Sequence, residues 1–416
     1  YRKLWRVNSS MTVEKMISAA DPDADQEVYE PEELTVFDGK LFFSAVDFQY
    51  GRELWQCDGT KAGTDRVSDI NIAGDAAPRE LTPLGNILYF TATDRAFLRG
   101  EAGRELWRYD ATTIELAANI SPGTNDSDPV FLTAVGGDKI FFAAYDVLGE
   151  PQKLLYYDTV ADQTTVADDQ DGKSGSSSPQ QFVSMGDDLY FVAQTDSGEQ
   201  VWKKEISAPA ATSVAPLESS TITPLIVNGE RLYFTSYFYD TLNDSDPSNG
   251  HWAYDVLFSS DGTAAGTQPV ENSPQNITEL SVVDGSLYFP GFDAQTGKEL
   301  WTSAGAAASL VKDIMDFSWG GVPGSSAPAA LTEAGQNIFF TARDASHGIE
   351  LWRSDGTAGG TVMLTNADPD LNPVPIQAVN GNLLTAMGIH IALELIGMQY
   401  TVDPKSPYAE FSKTNE

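Results

Sequence analysis

An all-β fold is what this sequence predicts, on three observations. Aromatic residues, Thr and Val come in short bursts between turn residues, without helical heptads or long Ala/Leu/Glu/Lys runs. One pattern recurs roughly every 50 residues: an apolar stretch, a Gly or Asp-Gly turn, then Leu-Tyr/Phe-Phe. A second pattern built on Glu-Leu-Trp follows each copy. Four strands in a repeat of this length are the mark of a blade, so the prediction is a β-propeller of about eight four-stranded blades.

The first pattern is clearest at Leu34–Ala45 and Leu331–Ala342. It recurs at Leu81–Ala92, Leu132–Ala143, Phe182–Ala193, Leu225–Ser236 and Leu280–Gly291, with a weaker copy at Ile376–Ala386. It supplies the first two strands, and the Asp-Gly turn provides the positive φ a tight hairpin needs. The second pattern gives the third strand: Glu53-Leu54-Trp55, Glu105-Leu106-Trp107, Gln200-Val201-Trp202, Glu299-Leu300-Trp301 and Glu350-Leu351-Trp352. Asp58-Gly59-Thr60, Asp261-Gly262-Thr263 and Asp355-Gly356-Thr357 then turn the chain into a fourth strand. A single four-stranded sheet cannot bury both faces, so the Trp and Phe-Phe positions are expected to fill layers between stacked blades.

The ends suggest closure. Lys3-Leu4-Trp5-Arg6 reads as the middle of a blade, and Pro375–Ala386 supplies the missing first strands, so one blade is shared by the two termini. Ala392–Ile396 then resembles a surplus strand. This divides the chain into a propeller domain, 1–390, and a C-terminal tail, 391–416. Two four-bladed halves are the alternative, with linker-like stretches at Gln170–Pro179 and Ser207–Pro224.

The segments Glu53–Thr60 and Glu350–Thr357 resemble the Glu-Leu-Trp-x-x-Asp-Gly-Thr repeat proteins, found in bacterial secreted and surface proteins and some algal sequences. The resemblance implies a propeller-like fold and brings no catalytic residues. Leu155-Tyr156-Tyr157-Asp158 departs most, lacking the Glu and the Gly-Thr, so its hairpin is expected to differ. The Asp-Gly-Thr segments also resemble the Asp-box hairpins of sialidase propellers, where they are structural.

Net charge is −35, from 60 acidic and 25 basic residues. Such a surface repels nucleic acid and anionic membranes. The single Cys57 excludes an internal disulfide framework and replaces Ser, Tyr or Ala of the other repeats. No apolar run is long enough to span a bilayer. His251, His347 and His390 have neither metal-ligand spacing nor a nucleophile motif around them. Asp21, Asp23, Asp25 and Glu32 echo a calcium loop, although Gln26 replaces its glycine; a solvated acidic loop is the simpler reading. Aromatic loops at Tyr237–Trp252 and Asp316–Gly321 suit a packed loop or protein contact better than sugar stacking.

These features lead to the expectation of a non-catalytic scaffold that self-associates into a surface layer or a compartment shell such as a pyrenoid shell. Leu393, Leu395, Ile396 and Tyr400 of the tail would make the contacts. A glycan- or calcium-binding module is the alternative, and an enzyme with a loop-borne site comes third. The expected partner is the protein itself, with a glycan possible and with no nucleic acid or membrane insertion. No cofactor is expected, calcium aside. The expected location is secreted or cell-surface, or an organelle (plastid) lumen after leader removal.

Overall fold

A computed structural model describes residues 5–7, 13–15, 29–94, 102–167, 178–364, 376–379 and 382–385, apart from 73, 124, 148–149, 196–197, 220, 223, 239–253 and 335. The described residues contain strands and no helix, hence none long and apolar enough to cross a membrane. The chain is a β-propeller of antiparallel blades.

Blade 1 comprises Tyr29–Phe37, Lys40–Asp47, Gly51–Cys57 and Thr64–Arg66. Blade 2 comprises Arg79–Leu84, Ile87–Asp94, Ala102–Tyr109 and Ile114–Ala118. Blades 3 and 4 span Val130–Val166 and Gln180–Ser219. Blade 5 spans Thr221–Pro269, its first strand split in two. Blades 6 and 7 span Ser281–Lys312 and Ala329–Met363. Two-stranded pieces, Trp5–Val7 with Val13–Lys15 and Ile376–Val379 with Asn382–Thr385, stand at the ends. Each is a separate two-stranded sheet. The chain forms two compact units, 1–217 and 218–416; the stretch Ser207–Pro224, expected to be linker-like, holds the strand Thr212–Ser219, and the division falls within it.

Each blade pairs its motifs across strands. Phe43 faces Trp55, Phe90 faces Trp107, Phe289 faces Trp301 and Phe340 faces Trp352. Phe43, Phe90, Phe289 and Phe340 are fully buried. Alternate side chains leave opposite faces of a sheet, so each blade feeds two layers. Between blades 1 and 2 the layer holds Phe37, Phe42, Leu54, Leu88, Phe90 and Trp107. Each such aromatic buries on the order of 150–250 Å². The Asp-Gly turns adopt the expected positive φ at both residues, 47° and 71° at Asp38-Gly39 and 47° and 75° at Asp284-Gly285.

The first strands carry a device that the sequence pattern does not announce. Glu33, Glu80, Phe131, Gln181 and Ala330 all have φ between 56° and 59°, in the left-handed region, beside a bulge in the ladder. The bulge turns backbone N–H groups toward the preceding blade, where carboxylates accept them. Glu33 Oε2 accepts the Glu80 N–H at 2.8 Å, and Glu80 Oε2 accepts that of Leu132 at 3.2 Å. In the second unit Glu279 Oε1 accepts from Leu331 at 2.9 Å. Thr35 and Thr82 add hydroxyl bonds to the carbonyls of Leu81 and Leu132. Consecutive blades are thus tied by specific hydrogen bonds as well as by their apolar layers.

Candidate functional site

The two most conspicuous motifs serve the architecture. The glutamate of Glu-Leu-Trp is buried in blades 1, 2, 6 and 7. In blades 1, 2 and 6 it reaches the segment that leaves the fourth strand, whose N–H groups lie outside any ladder. Glu53 accepts from Ser68 Oγ at 2.8 Å and from the N–H groups of Ile70 and Asn71 at 3.1 and 3.4 Å. Glu105 accepts likewise from Ile120, Ser121 and Ser127 Oγ. Glu299 takes Ile314, Met315 and both donors of Ser326. Burial raises the pKa of all three glutamates, and these hydrogen bonds offset part of the rise.

The Asp-Gly-Thr hairpins are closed from within. Asp355 Oδ1 accepts the Thr357 N–H and hydroxyl at 2.9 and 2.7 Å, and Thr357 Oγ1 accepts the Gly360 N–H at 2.9 Å. Asp58 and Asp261 repeat the arrangement. In blade 3, Asp158 instead accepts the N–H groups of Val160 and Ala161, so that hairpin does differ.

A cleft of about 300 Å³ lies between blades 1 and 2. One wall is the segment Val67–Ile72, which leaves blade 1 and is held in place by Glu53. The other is the third and fourth strands of blade 2, with Trp107, Tyr109 and Ile114. Trp107 is fixed by its Nε1–H bond to the Ala92 carbonyl at 3.1 Å. Burial, then Asp110 and Asp38, holds the Tyr109 hydroxyl protonated above its ordinary range. Asp69, Asp94 and Thr112 add polar groups, and Ile72 at the rim is 61% exposed. Arg66 lies beside Asp69 at 3.5 Å and over the ring of Tyr50, but no Lys or Arg lines the cleft.

Of the residues singled out in the sequence, Asp21, Asp23 and Asp25 lie outside the described residues, as do Leu393, Leu395, Ile396 and Tyr400. Glu32 is described and stands 3.4 Å from Arg52. Among the described residues no three His, Cys, Asp or Glu side chains come together as metal ligands. His347 is a turn residue, its Nδ1 2.9 Å from Asp344. Cys57 is buried, with the Thr64 hydroxyl donating to Sγ at 3.1 Å. The loop at 316–321 forms a small hairpin that exposes Phe317 and Trp319. The cleft residues Ser68, Asp69, Asp94 and Trp107 were not recognised as a site in the sequence, because they belong to different blades.

No family model and no curated protein matches the sequence. Solved structures do match. The chain is similar to a eukaryotic initiation factor at 9% identity and TM-score 0.52, covering 92% of this chain and 87% of that one. It is similar to the β-propeller domain of the Trilobed protease from Pyrococcus furiosus at 12% identity and TM-score 0.41, covering 82% and 99%. A prolyl endopeptidase matches at 11% identity and TM-score 0.46, covering 86% of this chain; this chain spans only 54% of the endopeptidase. The expectation of a self-associating scaffold, with glycan or calcium binding as its alternative, is corrected by this set. The propellers named among them come from a prolyl endopeptidase and a protease. At these identities the likeness establishes the fold and transfers no activity.

Proposed function

We propose that this chain is a recognition propeller whose ligand enters the cleft between blades 1 and 2, and that it acts by binding rather than by bond-making chemistry. The cleft carries the reading. Its volume of about 300 Å³ reaches the range that encloses ligands. Its walls combine aliphatic and aromatic side chains with Ser68, Asp69, Asp94 and Thr112, polar groups that can orient a guest. The conspicuous carboxylates favour the same reading: Glu53, Glu105 and Glu299 are engaged by backbone and hydroxyl donors, and Asp58, Asp261 and Asp355 close hairpins. Membership of the Glu-Leu-Trp-x-x-Asp-Gly-Thr repeat proteins is part of the proposal and rests on the motif.

Ligand-observed NMR on the intact chain, with a set of small alkyl and aryl alcohols, acids and amines, tests this. Ile72→Trp narrows the mouth of the cleft from an exposed position. Fragments that bind the chain and lose binding in the variant mark the site. A set in which no fragment distinguishes the two proteins overturns the reading.

A further inference from the structure

A related arrangement between blades 6 and 7 carries a lysine on its tryptophan. Between blades 6 and 7, Trp352 donates its Nε1–H to the Ala342 carbonyl at 3.0 Å, as Trp107 does to Ala92. Over the Trp352 ring, 5.8 Å from its centroid, stands the ammonium of Lys312, which donates to the Thr361 carbonyl at 2.9 Å. The two sites align through the buried glutamates. Glu299 Oε2 accepts the Ile314 N–H as Glu53 Oε2 accepts that of Ile70. Counting back two residues, Lys312 holds the place of Ser68.

Ser68 cannot fill that place. Its hydroxyl is short and donates to Glu53. The cleft opens beside Ser68, with Trp107 on its wall and Asp69 and Asp94 among its lining. The aromatic face favours a cation brought into a partly desolvated site, and Asp69 there already pairs with Arg66.

We propose that the cleft binds a primary ammonium on an alkyl stem of about four or five carbons, replacing from outside what Lys312 supplies from within. The inference rests on the cleft being the ligand site. The guest is either a free aliphatic amine or the lysine side chain of a partner, since both present the same group. Neither needs a covalent step.

Calorimetric titration of the full chain near neutral pH, where alkylamines are protonated, tests it. The probes are n-pentylamine, 1-pentanol and Nα-acetyl-lysine methylamide. Pentylamine is expected to bind at least about tenfold tighter than pentanol. Ser68→Lys is expected to abolish amine binding by filling the cleft from within. Lys312→Ser is expected to open a second site and double the amine stoichiometry, a result that does not depend on how Ser68→Lys folds. Binding of pentylamine alone supports a free amine, and binding of the lysine amide as well supports a partner's side chain. Pentanol binding as tightly as pentylamine overturns the ammonium while leaving the cleft as a ligand site. Absence of binding by all three probes overturns the ammonium proposal, and the fragment screen then decides the fate of the cleft.

Discussion

Blades 5 and 6 solve one problem in two ways. Both must carry the chain from an outer strand to the next blade through a segment whose N–H groups have no ladder. After blade 6 the buried Glu299 collects those donors on one carboxylate. Blade 5 has Val256 at the same position, and its departing segment bonds directly to the backbone of blade 6. Glu271 exchanges bonds with Ala306 and Ala308, and Gln275 with Phe292, at 2.6 to 2.8 Å. Blades 3 and 4 carry Lys153 and Gln200 at this position. What the repeat preserves is therefore satisfaction of the linker backbone, and the glutamate is one means to it.

The sharpest way to break the comparison is to remove the carboxylate. Glu299→Ala leaves four donors without their acceptor in a dry layer, at about 1–3 kcal/mol for each that water cannot reach, so a total loss of roughly 3–5 kcal/mol is expected. Glu299→Gln keeps one carbonyl acceptor, as Gln200 does naturally, and is expected to lose roughly half as much. Urea unfolding of both variants checks this. Equal losses would mean that the side chain's volume matters and its acceptors do not.

A pH series sharpens the same point. Burial raises the Glu299 pKa above its ordinary value of 4.5, so the folded chain holds this proton to higher pH than the unfolded chain. That part of the stability is complete below about pH 4.5 and is lost as pH climbs through the folded value. The stability gap between wild type and Glu299→Gln is expected to narrow as pH rises above about 4.5. A gap that widens would show the hydrogen bonds outweighing burial. The hairpin aspartates run the other way. Hydrogen bonds from threonine lower the pKa values of Asp58, Asp261 and Asp355, so their contribution is lost as pH falls below about 3.8.

The legible and illegible parts of this molecule divide by the range of the interaction. Blade count, Asp-Gly turns and Phe–Trp layers were readable because each is set within a few residues, by pleat and turn chemistry. The role of the motif glutamate was not, since Glu299 finds donors 15 and 27 residues away in irregular chain. The left-handed residues of the first strands were hidden for another reason: Glu33, Glu80 and Phe131 are not glycines, and at Glu80 the conformation goes with an N–H bond to Glu33 of the preceding blade. The cleft depends on Ser68 standing where Lys312 stands five blades later, a correspondence that appears only after the two linkers are aligned on their glutamates.

A smaller effect separates neighbouring glycines in one hairpin. A Cβ on Gly360 would lie 2.0 Å from Asp355 Oδ1, whereas one on Gly359 meets nothing within 4 Å. Gly360→Ala must therefore displace the carboxylate that closes the turn, at about 1–3 kcal/mol, while Gly359→Ala is expected to stay within about 0.5 kcal/mol of wild type. Thermal unfolding of the pair checks this, and equal effects would mean that Asp355 swings away freely.

The smallest expected effect belongs to Cys57. Ser260 and Ser354 hold its place in their hairpins, each with a hydroxyl 2.7 or 2.8 Å from the following threonine, Thr267 or Thr361. Each serine also accepts the next glycine's N–H, Gly262 at 3.1 Å and Gly356 at 3.0 Å, as Cys57 Sγ accepts that of Gly59 at 3.3 Å. The sulfur thus reproduces a serine's bonding with longer, weaker contacts, while filling slightly more of the buried space beside Trp55. These two terms oppose each other, so Cys57→Ser is expected to change stability by less than about 1 kcal/mol. A loss well beyond that would show that the thiol's packing, and not its hydrogen bonding, secures the blade 1 hairpin.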